Sequence, residues 1–401
     1  MGTLFMNSAC YTFFPVGQGL FSYGSISVGS NEDVFNWVYD CGTLSKKVLI
    51  DNGIKSLNKI SKKQHIDVVF LSHFDNDHVN GIVRLLRCYS TSALVLPYIT
   101  KCMRVALIAN NEMSVSDEAY QLANNPIKFL REKGIKNVES IIFVPPPSKS
   151  VSSKEFFIKK EADDAASLSF YGEKLFGEES PIVYLQDVSK PILRSNVWKF
   201  YTLNAHAQKV EAEKLSNKIK LVYGSSDDFD DDDMLKLKVL YDNLAKKLRV
   251  SRNDISTYVF GMPSVGPRKK TTLNGFSKSF CVHDVVGLTE NQSMKFSNDS
   301  GGGIFYGGDG CLKKSQEIKD FMNSELYKNL SRNCLCFQVM HHGSKLNYSN
   351  VVAGLIGSKY SIFSSKPSRY GHPHKSVRDS LHKNGPTQVD EEKGFYLKFN
   401  Y

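Results

Sequence analysis

At 401 residues, 41% hydrophobic and 11% aromatic, the chain has the composition of a packed globular protein that can bury its own core. No apolar run approaches the roughly 20 residues of a membrane span, and residues 1–17 lack the basic flank and cleavage site of a signal peptide, so no membrane span and a cytoplasmic location are expected. The formal charge of +10 suits a polyanionic partner, because phosphates attract basic surfaces whatever their sequence.

In chain order, residues 11–16, 21–28 and 35–42 alternate apolar and polar positions between glycines, which predicts a β-meander. A helix is expected over 47–62. Residues 68–72 follow as a buried strand that runs straight into His73, Asp75, Asp77 and His78. Imidazole and carboxylate at positions 1, 3, 5 and 6 of a tight turn can face neighbouring cations, since alternate residues share a direction and the adjacent pair diverges. Helical spacing at Ile82, Val83, Leu85 and Leu86 then predicts a strand–turn–helix unit. Further strands are expected at 93–96 and 141–144, with a helix near 126–133 between them.

Pro145, Pro146 and Pro147 end this regularity. Residues 148–250 mix lysine-rich, acidic and short apolar pieces and read as an insertion or subdomain. Asp227, Asp228 and the four aspartates at 230–233 lack the glycine and closing glutamate of a calcium loop and read as a solvated loop. Strand character returns at 256–260 and at 303–309, where glycines lead into Asp309. A helix over 313–330 and a strand over 335–340 end at His341 and His342. A strand over 360–364 precedes His372 and His374.

His65, His206, His283 and His382 lack this strand-end setting and read as structural. The eight cysteines show neither paired nor framework spacing, which predicts free thiols, with Cys334 and Cys336 in the core.

Together these segments make the chain resemble the metallo-β-lactamase superfamily, and within it the soluble metallohydrolase domain of ComEC-type DNA-uptake proteins. The residues that carry the resemblance are Val16-Gly17-Gln18-Gly19, Asp40-Cys41-Gly42, the stretch from His73 to Gly81, Gly308-Asp309, His341-His342-Gly343-Ser344 and Tyr370-Gly371-His372-Pro373. They lie within residues 10–145 and 255–399.

The resemblance implies an α/β fold: an αββα metallo-β-lactamase sandwich forming one domain over residues 1–401, with the insertion at 148–250. It implies two divalent cations, Mn2+ or Zn2+, with Mg2+ also suited. His73 and Asp75 would serve the first and Asp77 and His78 the second, with Asp309 bridging and His341 or His342 completing the second. Two departures stand out. Asp75 occupies a usual histidine position, and only an Asn253-Asp254-Ile255-Ser256 segment resembles the motif expected between residues 79 and 308. More carboxylate oxygen makes the site harder, which favours manganese or magnesium over zinc.

Paired cations suit phosphodiester hydrolysis, and the basic surface favours nucleic acid as substrate. The expected catalytic set is Asp77 with His342, His372 and His374, one of the histidines protonating the leaving oxygen. Ser344, Lys345 and Arg369 would meet phosphate oxygens. One alternative is a small nucleotide or phosphocholine-type diester, with 148–250 as a lid; another is a non-catalytic, metal-stabilised scaffold for nucleic acid or protein. Channel segments of the ComEC type are absent, which fits a free-standing component working with partner proteins of a multi-gene system. Lys149, Lys154, Lys159 and Lys160 would form a basic wall if the insertion lined the cleft.

Overall fold

The computed structural model describes residues 7–28, 31–61, 63–109, 114, 117–146, 153–158, 168–176, 181–194, 197–204, 255–264, 302–330, 333–367 and 369–400. His206, His283, the acidic block at 227–233, Lys149, Lys159, Lys160 and positions 253–254 lie outside the described residues. Among the described residues no helix is long and apolar enough to cross a membrane.

The predicted meander forms from β1 (Ser8–Phe13), β2 (Phe21–Val28) and β3 (Asn31–Cys41), paired antiparallel. Parallel pairing then adds β4 (His65–Phe70), β5 (Ser90–Pro97) and β6 (Val138–Val144). These strands are almost continuously apolar because both faces are covered. The helix Val48–Ile60 shows why: its buried Ile50, Ile54 and Leu57 form one stripe that packs with Val69, Leu94 and Ile141.

A second group of strands follows the same logic. It comprises β12 (Thr257–Pro263), β13 (Gly303–Tyr306), β14 (Cys334–Gln338), β15 (Tyr360–Ser364), β16 (Pro386–Val389) and β17 (Phe395–Asn400). Helices Ser315–Asn323, Glu325–Leu330, Val351–Ile356 and Lys375–Ser380 cover its outer side through Phe321, Leu326, Val352 and Val377. The single helix expected over 313–330 is two, with Ser324 between them.

The expected αββα sandwich is corrected here. The strands do not fall into two separate sheets: among the described residues seventeen of them hydrogen-bond into one mixed sheet that curls until it is nearly closed into a barrel. The joining strands come from residues within 148–250. These are β7 (Lys154–Ile158), β8 (Leu168–Phe176), β9 (Ile182–Gln186), β10 (Ile192–Arg194) and β11 (Trp198–Asn204). Hydrogen bonding runs from β6 through β9, β8, β10 and β11 to β12, while β1 ties β17 to β2.

The reason is visible in β11. Trp198, Phe200 and Thr202 are buried while Lys199 and Tyr201 are partly exposed. Such a strand has one apolar face to bury and two edges to pair, and extending an existing sheet satisfies both.

The interior gathers residues from nearly every strand, among them Tyr11, Trp37, Val68, Ile142, Trp198, Ile304 and Ile362. Trp37 stacks on Trp198 with ring centroids 5.4 Å apart, and its indole N–H donates to the Tyr306 hydroxyl at 3.1 Å. Gly24 lies opposite Trp37, where a Cβ would stand 2.1 Å from the indole. Gly24→Ala is therefore expected to cost about 1–3 kcal/mol in urea unfolding, with a changed near-ultraviolet tryptophan signal. An unchanged midpoint would show that the indole can move aside freely.

Candidate metal centre

The candidate side chains enter from segments that follow strand ends, His372 and His374 from the longer connection between β15 and the helix Lys375–Ser380. After β4, Ser72 and His73 lead into the short helix Asn76–Val79, which carries Asp77 and His78. This turn is braced from below. The Leu20 amide donates to Asp77 O at 3.0 Å, and the Gly81 amide to Cys41 O at 2.8 Å. A Cβ on Gly42 would lie 2.5 Å from the Asp77 carbonyl carbon, so only glycine lets that loop pass so close. The two glycine-bearing segments at 16–19 and 40–42 thus serve as the floor of the Asp77–His78 turn.

Asp40, in the left-handed region at φ +57°, aims its carboxylate into the centre. It accepts from the Ser72 amide and the Ser72 hydroxyl, each at 2.7 Å, and lies 2.7 Å from Nδ1 of His78. A carboxylate only accepts, so Nδ1 of His78 is the donor and Nε2 faces away, toward Asp309 at 3.2 Å.

Asp309 sits after β13 on a turn shaped by Gln338, whose side-chain oxygen accepts from the Gly307 and Gly308 amides at 2.9 and 2.8 Å. Its Oδ1 lies 3.2 Å from His78 Nε2 and 3.8 Å from His342 Nε2. Its Oδ2 lies 3.8 Å from His73 Nε2 and 3.7 Å from His341 Nε2. One carboxylate therefore meets four imidazoles. His341 and His342 follow β14 on a turn with φ of +47° and +56°, which spreads their rings apart. Nδ1 of His342 donates to the Ser364 carbonyl, leaving Nε2 3.1 Å from Asp77 Oδ2.

Two groups of donor atoms result: His73, His78 and Asp309, and Asp77, His78 and His342, each within 4.8 Å and drawn from buried residues. His78 belongs to both, yet has only Nε2 to offer. The division of ligands that the resemblance implies places His78 with one cation alone. Asp75, partly exposed, lies at the border with Oδ2 3.6 Å from His73 Nε2. His341 is likewise peripheral, its side chain 25% exposed.

His372 and His374 stand outside the two groups but line the same cleft, of about 400 Å³, with Asp75, Asp77, Asp309 and His341. The His372 ring is 6.2 Å from that of His342 and 5.1 Å from that of His374. Nδ1 of His374 accepts from the Lys345 amide at 3.4 Å, which places its proton on Nε2.

The donor set fits a cation. Among buried polar atoms, Nε2 of His73, Nε2 of His78 and Oδ1 of Asp309 make no hydrogen bond, although such atoms are seldom left unsatisfied. A divalent ion would satisfy all three. Buried His and Asp groups able to hold metal are thus present.

The electrostatics agree with this. Burial alone would lower His78, but Asp309 and Asp40 hold it well above the ordinary histidine range. Burial also works against His342, which Asp309 and Asp77 nevertheless raise. Burial would raise the carboxyl groups of Asp77 and Asp309. Asp77 is instead brought to about 2 by its His342 hydrogen bond and by His78, and Asp309 is held well below the carboxylate range by His341, His78 and His342. His372 goes the other way, to about 4, through burial and the neighbouring His342 and His341.

Cations bind neutral imidazole, so uptake must displace protons from His78 and His342. Because both are raised in the cation-free protein, affinity for Mn2+ or Zn2+ should keep climbing as pH rises past 7, and fall as pH drops. Calorimetric titrations between pH 6 and 8, in buffers of different ionisation enthalpy, measure this. A flat profile without proton release would refute it.

Reading the sequence alone missed Asp40, Ser72 and Gln338 as supports. Asp40 carried a signal, an acid closing an apolar strand ahead of glycine; Gln338, inside an apolar strand, carried the weaker one of a polar residue in a buried run. His65 bridges Ser90 and Ser92 through Nδ1 and Nε2 at 2.8 and 3.1 Å. His382 bonds the Asp379 carbonyl through Nδ1. Cys334 and Cys336 are buried.

No known protein family profile matches the chain, and no curated protein matches it. Among solved structures it is similar to one described as a peroxy diiron species of chemotaxis sensor ODP, over 59% of this chain and 79% of that one, with 12% identity and a TM-score of 0.20. A likeness that slight decides neither the fold nor the chemistry of this chain.

Proposed function

We propose that the protein is a metal-dependent phosphodiester hydrolase acting on nucleic acid, of the kind the metallo-β-lactamase resemblance of its motifs implies. The observation that carries this reading is the convergence of His73, Asp75, Asp77, His78, Asp309, His341 and His342, spread over almost 270 residues of sequence, on one cleft. Bound divalent cations would supply an activated water and neutralise charge on the phosphoryl oxygens; Mn2+ or Zn2+ suits the mixed nitrogen and oxygen donors, with Mg2+ a harder alternative.

The chain's own groups do the rest. Asp40 orients His78, and Asp309 holds four imidazoles toward one point. Ser344 and Lys345 line the cleft where phosphate oxygens would lie. His374, with its proton on Nε2, is placed to give a hydrogen bond to the leaving oxygen, while His372, brought to about 4, is neutral at physiological pH and offers one donating and one accepting nitrogen.

The cleft volume, at the small end of ligand pockets, supports a second reading, a small nucleotide or phosphocholine-type diester. Among the described residues of 148–250, none lines the cleft, so neither a lid nor a basic wall is carried by them.

End-labelled single- and double-stranded DNA and RNA, incubated with Mn2+, Mg2+ or Zn2+ across a salt series, test the proposal against an Asp77→Ala control. Cleavage that needs cation, vanishes in the variant and weakens as salt rises is expected. A salt-insensitive preference for a small chromogenic diester would replace nucleic acid by the small substrate. No hydrolysis of any diester would remove the enzyme reading.

A further inference from the structure

Leu44, Leu346 and Tyr370 are exposed by 39%, 66% and 63%, and all three line the mouth of the metal cleft. Large apolar side chains so exposed and so grouped mark a binding surface more often than chance. Tyr370 is also held in place. Its φ is +52°, a conformation that costs a bulky residue energy and that persists where function or surroundings require it.

The Arg369 guanidinium carbon lies 5.2 Å from the Tyr370 ring centroid, within cation–π range. Nη1 of the same arginine donates to the Leu44 carbonyl at 2.8 Å, so one cation contacts both the aromatic ring and the backbone of the leucine. The Tyr370 ring also lies 6.0 Å from that of the buried His372, tilted by 53° to it. From mouth to floor the cleft therefore offers an aromatic ring, the His372 imidazole, then the His and Asp groups, with Lys345 among its lining residues.

We propose that Tyr370, with Leu346 and Leu44, is a stacking platform for an unpaired nucleobase next to the phosphate that enters the metal centre, which makes the substrate single-stranded nucleic acid. This rests on the phosphodiesterase reading above and names its substrate class. A base in a duplex already has both faces covered, whereas an unpaired base can lay one face on a fixed aromatic ring, and a platform of this kind tolerates any sequence. The phosphate beside it carries the charge that Lys345 and Arg369 favour.

The test compares binding of a labelled oligothymidylate, the matching oligouridylate and a duplex by fluorescence anisotropy in Ca2+ buffer, for the wild type, Tyr370→Ala and Tyr370→Phe. Expected is single-strand binding tighter than duplex binding, weakened about tenfold or more by alanine and retained within about threefold by phenylalanine, which keeps the ring. Equal affinity for duplex, unchanged binding by Tyr370→Ala, or no binding of either single strand would overturn the platform. Hydrolysis of bis(p-nitrophenyl) phosphate by the wild type with Mn2+ is measured alongside. That substrate has no nucleobase, so its turnover reports the hydrolase reading separately from the platform.

Discussion

Asp309→Ala is expected to lose cation binding by about a hundredfold or more, and with it essentially all diester turnover, while the protein remains folded. Loss of a residue that merely orients a ligand costs about 10- to 100-fold in affinity, and Asp309 faces the centre directly, between four imidazoles. Its removal also leaves His78 and His342 without the charge that raises them most. In the variant both should release their protons more readily, so no buried cation is stranded and the fold is spared. Calorimetry with Mn2+ and Zn2+, together with urea unfolding of the cation-free protein, measures both halves. Near wild-type affinity in Asp309→Ala would show that this carboxylate is no ligand, and an unfolded variant would show that its role is structural.

Changes at Asp40 should separate stability from metal binding. Asp40→Ala strips the acceptor from the Ser72 amide, the Ser72 hydroxyl and Nδ1 of His78 at once. Buried donors left without partners cost about 1–3 kcal/mol each, and alanine is also strained at φ +57°; a loss of about 3–5 kcal/mol is expected.

Asp40→Asn is milder to the fold, because asparagine tolerates that backbone and keeps an oxygen for Ser72. Its amide, however, presents N–H to His78 where an acceptor stood, driving the imidazole proton onto Nε2. That tautomer cannot bind a cation through Nε2. Asp40→Asn is therefore expected to unfold within about 1–2 kcal/mol of the wild type yet bind cation about 10- to 100-fold more weakly. An asparagine variant that binds like the wild type would show that Asp40 does not set the tautomer.

The buried cluster of His and Asp side chains was largely legible because imidazole and carboxylate at the ends of apolar strands carry chemistry that ordinary strand ends do not. His73, Asp77, His78 and His342 each follow an apolar run, and each is buried beside the others. The helix Val48–Ile60 and the strand Tyr360–Ser364 were equally legible, their apolar residues falling at helical spacing in one and in a continuous run in the other. What the residues could not disclose was how strands would share edges. Lys154–Ile158 and Leu168–Phe176 are interrupted by charge and declare no partner; their place in a single curled sheet is set by β6, β9 and β10, which lie elsewhere in the chain. The role of Asp40, as distinct from its signal, was not legible for a related reason, since it exists only once β3 lies beside β4.

The single sheet has a kinetic consequence. It is tied across the whole chain by one antiparallel pair, β1 with β17, in which Ser8 lies opposite Asn400. Pairings over such separations form slowly, because the intervening loops must close before any contact rewards them. The donor atoms come from the same two distant halves. A chain during synthesis or refolding thus has no assembled cluster until both halves have come together, and uptake of a coloured cation such as Co2+ should trail the first recovery of strand structure.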